Sequence, residues 1–366
     1  MKAGSPSLRD HPPMVSLPPR APLRITRPGL VVPVRTDPTG RSGPTRSQAS
    51  GPHWRRTSQG HYVPARVDST VPEQRIVEAA ALLPGFGAVT GWASLRWQGG
   101  AWFGGLTGGG RVELPVDLAI SSADIRNQPG SRVSAEGLPP HEIVVVHGMK
   151  VTTAVRSAFF AMRHAGQLRE AVAVLDLAAY SDLVSLDEMA AYAEEHPAWT
   201  GVPQVRDALA LAEENVWSPA EVSARLIWVL DAHLPSPLCN RPVFDLRGNH
   251  LGTPDLFDAA AGVVVEYDGS IHLAGERRVV DVRREEAFRR AGLEYLTVLG
   301  DHLRHRDRTA ARMREVRRRA LAARPAQRRW TIDPPHWWTP TVTVEQRRAL
   351  TEEQRARWLR HRALAG

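Results

Sequence analysis

A carboxylate inside a run of valines needs a chemical reason, and GVVVEYDG supplies such a case in Glu266. An unpaired charge in a buried strand costs several kcal/mol. With the two-residue period of a strand, Glu266 and Asp268 project to the same side as Val264. The preceding apolar segment, TPDLFD, carries Asp255, and the DAAAG turn would fold Asp255 back beside Glu266. Two carboxylates from adjacent strands suit a hard cation such as Mg2+, which takes one or two carboxylates and fills its shell with water and phosphate oxygens. An ion held in this way activates water and offsets charge on a phosphate. Plainer roles compete: Asp255 follows Gly252 and Pro254 as a turn residue would, and Asp268 with Gly269 forms a hairpin-turn dipeptide. Glu266 has the weakest plain explanation.

The elements that must position these acids begin at Ser218. SPAEVSARLIWVLDAHL reads as a helix with Ser218 as N-cap, Pro219 in the first turn, and Val222, Leu226 and Val229 facing inward. Glu221 is the fourth residue of a Ser-Pro-Ala-Glu capping box, which is its ordinary role. CNRPVFDLRGNHLGTPDLFDAAAGVVVEYDGSIHL reads as three antiparallel strands joined by RGN and DAAAG turns. A helix, ERRVVDVRREEAFRRAG, follows and stops at Gly292; then come the strand LEYLTVLG and an arginine-rich helix from about Arg306 to Ala323.

This succession resembles the PD-(D/E)XK nuclease superfamily, nearest to the domain related to the very-short-patch-repair endonucleases. In that branch a helix glutamate, a strand aspartate, an ExDG-H signature and a D-x-x-R helix recur. They fall here on Glu221, Asp255, Glu266 with Asp268, Gly269 and His272, and Asp281 with Arg284. The resemblance implies a restriction-endonuclease-like αβββαβα domain over residues 218–323. It also implies a Mg2+ ion held by Asp255 and Glu266, and a catalytic set of Asp255, Glu266, Asp268, His272, Glu221 and Arg284. The superfamily's lysine, two positions after the second acid, is Asp268 in this chain. His272, as a general base, or Arg284, as a charge stabiliser, could take its place. A lone histidine and a helical Asp281/Arg284 ion pair are the structural alternatives.

The rest of the chain divides by composition. Residues 1–51 are rich in Pro, Arg, Ser, Thr and Gly and are expected to be a disordered tail. Residues 52–152 read as a small mixed α/β domain, with a helix over 72–83 and Trp92, Trp97 and Trp102 anchoring its core. Residues 153–217 are expected to be a helical connector, marked by Ser185 and Glu188 as a capping box. Residues 324–366 form a tail with a short helix and two adjacent tryptophans, Trp337 and Trp338. The fold class expected overall is α/β (α+β).

Composition bounds the functions open to this chain. No apolar run approaches the roughly 20 residues of a membrane span, and no signal-peptide core opens the sequence, so the default location is the cytoplasm. A single cysteine, Cys239, excludes an intramolecular disulfide and a cysteine-rich zinc site. The net charge of +8 fits attraction to a polyanion such as DNA, although nearly all of it is arginine, as a GC-rich genome would also produce. Eleven arginines lie between Arg304 and Arg329, where they could track phosphates or simply solvate a helix.

The N-terminal half carries a second resemblance. WRRTSQGHYVP, GAVTGWASLRW and HGMKVTTAVRSAFFAM are similar to segments of actinobacterial AbiEi-like antitoxin regulators, in which an arginine follows the Thr-Thr turn as Arg156 does here. Those proteins place a winged helix before the R-R-x-x-x-G-x-Y-V-P strand, whereas this chain has proline-rich sequence there. The resemblance implies a DNA-binding transcriptional regulator of a toxin-antitoxin pair, with a cognate toxin as partner. Two functions from different classes therefore stand side by side: a Mg2+-dependent DNA phosphodiesterase and a non-enzymatic DNA-binding antitoxin. A protein-interaction module of a defence locus is the plainest third.

Overall fold

The computed structural model describes residues 23–107, 110, 112–121, 125–268, 276–323, 328–360 and 362, and within 276–281 the backbone alone. Gly269 and His272 lie outside the described residues, as does the side chain of Asp281. The chain is an α+β protein. No helix among the described residues is long and apolar enough to cross a membrane.

The chain begins with strand β1 (Val34–Arg35), helix α1 (Arg46–Ala49) and strands β2 (Trp54–Ser58) and β3 (His61–Pro64), which form an antiparallel sheet in the order β1-β3-β2. Residues 23–51 are therefore not the disordered tail that composition suggests. Their few apolar side chains cannot build a core of their own, but Leu23, Ile25, Leu30 and Val32 lie against a core built by other residues. The Gln74 amide secures this segment, donating to Val31 O and accepting from Val31 N, both at 2.9 Å.

Next come α2 (Pro72–Ala80), β4 (Ala88–Thr90), α3 (Gly91–Trp97), β5 (Val116–Ala119), β6 (Ser131–Ser134), β7 (Ile143–Val146) and β8 (Met149–Thr152). The strands make a mixed sheet in the order β6-β5-β4-β8-β7. Trp92 and Trp97 are buried beneath it, and the Trp102 indole donates to Trp217 O at 3.1 Å, which gives these rings packing roles.

Helices α4 (Ala154–Arg163), α5 (Leu168–Tyr180), α6 (Leu186–Glu195) and α7 (Val202–Leu209) occupy the segment expected to connect two domains. Ser185 and Glu188 form the capping box that opens α6. One apolar cluster runs from Ile76 and Trp97 through Phe159, Leu175 and Val205 to Trp228, Val265 and Met313. The helices are thus a shared middle of the core rather than a spacer.

Helix α8 (Pro219–Leu226) ends in a π turn over Ile227–Asp231, and five short strands follow: β9 (Leu238–Cys239), β10 (Val243–Asp245), β11 (His250–Gly252), β12 (Leu256–Asp258) and β13 (Val263–Asp268). This replaces the three strands read from the sequence. Pro242 and Pro254 interrupt the backbone ladder, and Asn240, with φ 45°, turns the chain in the left-handed region between β9 and β10. Helix α9 (Glu276–Arg290), β14 (Glu294–Leu299), α10 (Gly300–Arg304), α11 (Arg306–Ala322), β15 (Trp330–Thr331), α12 (Val344–Arg348) and α13 (Glu352–Trp358) complete the chain. One sheet has the order β14-β13-β12-β9, with β13 and β14 parallel across α9, and the other has the order β11-β10-β15. On α11, Ala310, Met313, Val316 and Ala320 face the core while Arg306, Arg308, Arg314, Arg318 and Arg319 face outward.

The segment after residue 324 is more than a tail with one helix. Strand β15 pairs with β10, and α12 docks on the helical layer, where Arg347 is fully buried. Glu214 joins two helix starts by accepting from Leu186 N at 2.8 Å and Val344 N at 2.6 Å.

Candidate acidic site

Antiparallel pairing of β12 with β13 sets Leu256 opposite Val265. One step further along the same register, Asp255 comes opposite Glu266, just before β12 begins. Asp255 turns its Oδ2 onto the backbone of the partner strand, accepting from Tyr267 N at 2.6 Å. Glu266 is 6% exposed, and its Oε2 accepts from Arg284 Nη2 at 2.8 Å. That contact depends on a residue without a side chain. A Cβ on Gly252 would stand 2.6 Å from Phe288 Cζ and 3.1 Å from Arg284 Cδ, so glycine lets α9 approach β11 closely enough for Arg284 to reach the strand.

Glu221 enters from α8. Ser218 caps the helix as expected, accepting from Glu221 N at 3.2 Å. The carboxylate does not close the capping box on Ser218 N. It reaches one residue further, with Oε2 accepting from Trp217 N at 2.8 Å and from Asn240 Nδ2 at 2.7 Å, and Oε1 accepting from Ser218 Oγ at 2.9 Å. Burial, and then the neighbouring charge of Asp255, push the Glu221 carboxyl well above the usual range. Burial likewise raises Asp255, against the opposing pull of the Tyr267 N–H and of Arg284. Burial and the charge of Glu266 raise the Tyr295 phenol on the neighbouring strand.

Glu221, Asp255, Glu266 and Arg284 are thus brought to one region where α8, β12, β13 and α9 meet. Asp268 stands exposed at the end of β13, opposite Leu299 in register. Cys239 is buried, and burial pushes its thiol upward, as befits a packing residue. Arg156 is also buried, held by Glu136 and stacked over the Trp199 ring, far from these acids in the fold.

Sequence reasoning passed over Asn215 and Asn240, which join the acidic elements. Asn215 Nδ2 donates to the carbonyls of Cys239 and Asn240, both at 3.0 Å, and Asn240 N donates to Asp255 O at 3.1 Å. The available signal was the residue type: asparagine tolerates the left-handed turn needed before Pro242.

Among the described residues, no three side chains of His, Cys, Asp or Glu gather as a metal-holding group. The donors that suit a cation are the Asp255 and Glu266 carboxylates. These are oxygen ligands in a buried setting where Glu221 adds a third carboxyl and Arg284 supplies a single guanidinium. That chemistry fits a hard ion such as Mg2+. Comparison with family models, with curated proteins and with solved structures finds no match to this chain.

Proposed function

We propose that residues 218–323 act as a metal-dependent DNA phosphodiesterase, with Asp255 and Glu266 holding Mg2+. The observation that carries this reading is the cross-strand register that sets Asp255 opposite Glu266, with Glu221 buried against the same pair. When bound, the ion would activate water and offset charge on the scissile phosphate. Arg284 holds the Glu266 carboxylate and keeps a positive charge where the related nucleases have a lysine. Glu221 fixes the end of α8 against the Asp255 segment through Asn240. The outward arginines of α11 supply attraction for a polyanion.

Nicking of supercoiled plasmid in Mg2+ tests this reading, with Asp255→Ala and Glu266→Ala each expected to abolish it. A second reading is favoured by one observation: Arg284 already gives Glu266 the positive partner that an ion would provide. In that reading the domain is a scaffold in a DNA-binding regulator of the antitoxin type, with a toxin as its protein partner. Salt-sensitive DNA binding without cleavage in Mg2+ or Mn2+ would select it. Absence of DNA binding at low salt would remove both.

A further inference from the structure

We propose that Asn240 is the neutral oxygen donor of the acidic site: its amide nitrogen ties Glu221 in place, and its Oδ1 is offered to the cation held by Asp255 and Glu266. The inference rests on the metal-dependent reading above. Asn240 is 2% exposed and makes contact with both acidic elements. Its backbone N–H donates to Asp255 O at 3.1 Å, and Nδ2 donates to Glu221 Oε2 at 2.7 Å and to Asn215 O at 2.8 Å. Since both acceptors are oxygens, the orientation of the amide is settled by its own bonds, and the two ends cannot be exchanged. The remaining atom, Oδ1, is buried and has no hydrogen-bond partner.

A buried amide oxygen in that state is costly, so native proteins rarely leave one without purpose. The backbone is also held in an uncommon conformation, with φ 45°, to present the group. A water molecule could satisfy the oxygen. The surrounding charge selects a cation instead, because Glu221, Asp255 and Glu266 face one guanidinium, that of Arg284. Hard cations accept amide oxygens alongside carboxylates, which makes an asparagine a suitable uncharged member of such a set.

Calorimetric titration of the full chain with MnCl2 tests the proposal, using wild type, Asn240→Gly and Asn240→Asp. Glycine adopts the left-handed backbone without strain, so Asn240→Gly removes the side chain alone. Its affinity for Mn2+ is expected to fall by about tenfold to a hundredfold, the effect typical of losing a group that supports a metal site. Asn240→Asp adds a fourth carboxylate. It is expected to melt below wild type in EDTA and to regain its midpoint in Mn2+, a recovery that a purely structural hydrogen-bonding role would not produce. Wild-type affinity in Asn240→Gly, or an Asn240→Asp midpoint indifferent to Mn2+, would overturn the role of Asn240 while leaving the metal site standing. A wild-type chain that binds no Mn2+ would instead bring down the metal-dependent reading itself, and this inference with it.

Discussion

Replacing Arg347 by methionine is expected to destabilise the protein by about 3 kcal/mol, the low end of the range for breaking a buried ion pair from one side. The guanidinium is fully buried, and its Nε donates to Asp182 Oδ1 at 2.6 Å. Nη2 donates to Ala179 O at 2.8 Å and Glu214 O at 3.1 Å, and Nη1 donates to Thr341 O at 3.1 Å. Methionine fills much of the same volume, so the loss is mainly polar. The charge-assisted bond to Asp182 contributes roughly 1.5–3 kcal/mol, and each carbonyl left without its donor about 1 kcal/mol. Two features hold the total down. Asp182 keeps Arg355 at 2.9 Å and Arg362 at 3.3 Å, and Ala179 O still accepts from Asp182 N at 2.9 Å. Urea unfolding followed by tryptophan fluorescence measures the change, with the transition slope checked against wild type. Arg347→Lys should recover less than half of the loss, because an ammonium cannot reproduce the planar fork that serves four oxygens. A loss below about 1 kcal/mol for Arg347→Met would refute the reasoning, since it would mean that the docked C-terminal segment makes no net contribution to the fold.

Gly252→Ala should force α9 away from β11, since Phe288 is fully buried and cannot yield to a Cβ 2.6 Å away. The expected cost is about 1–3 kcal/mol by chemical denaturation, with Mn2+ affinity altered as Arg284 shifts from Glu266; unchanged values for both would contradict the close approach. Asp176 is fully buried beside Arg225, and burial outweighs that pairing to raise its carboxyl to about 6. The folded state therefore holds this proton more tightly than the unfolded chain, so its contribution to stability falls as pH rises from about 4 to 6, by on the order of 3 kcal/mol or less. Thermal midpoints at pH 4.5 and 7.5 should show this decline in wild type, and Asp176→Asn should flatten it; an undiminished slope in the variant would assign the effect elsewhere.

The acids at the centre of the site were legible because their signal is local. A strand repeats every two residues and a short turn returns it, so GVVVEYDG and TPDLFD suffice to place Glu266 near Asp255. Helix starts were legible for the same reason: Ser185 and Ser218 bond to groups three residues away. The number of strands was not. Whether β10 and β11 join β12 or leave it for β15 depends on a partner some eighty residues downstream and on a left-handed turn at Asn240. The supposed connector and tails were misread because composition describes what a segment can bury alone, and these segments bury themselves against others.

Only the tertiary structure decided the partners. Glu266 meets Arg284 because an absent side chain at Gly252 lets a helix come close. Asn240 joins Glu221 and Asp255 because three separate elements converge on one amide. Arg347 finds Asp182 across 165 residues. The sequence determined which groups could carry charge and which turns and caps would form, since those energies arise between near neighbours along the chain. Which charge meets which was decided by the surfaces that fit once the apolar cluster had closed, and that closure depends on the whole chain.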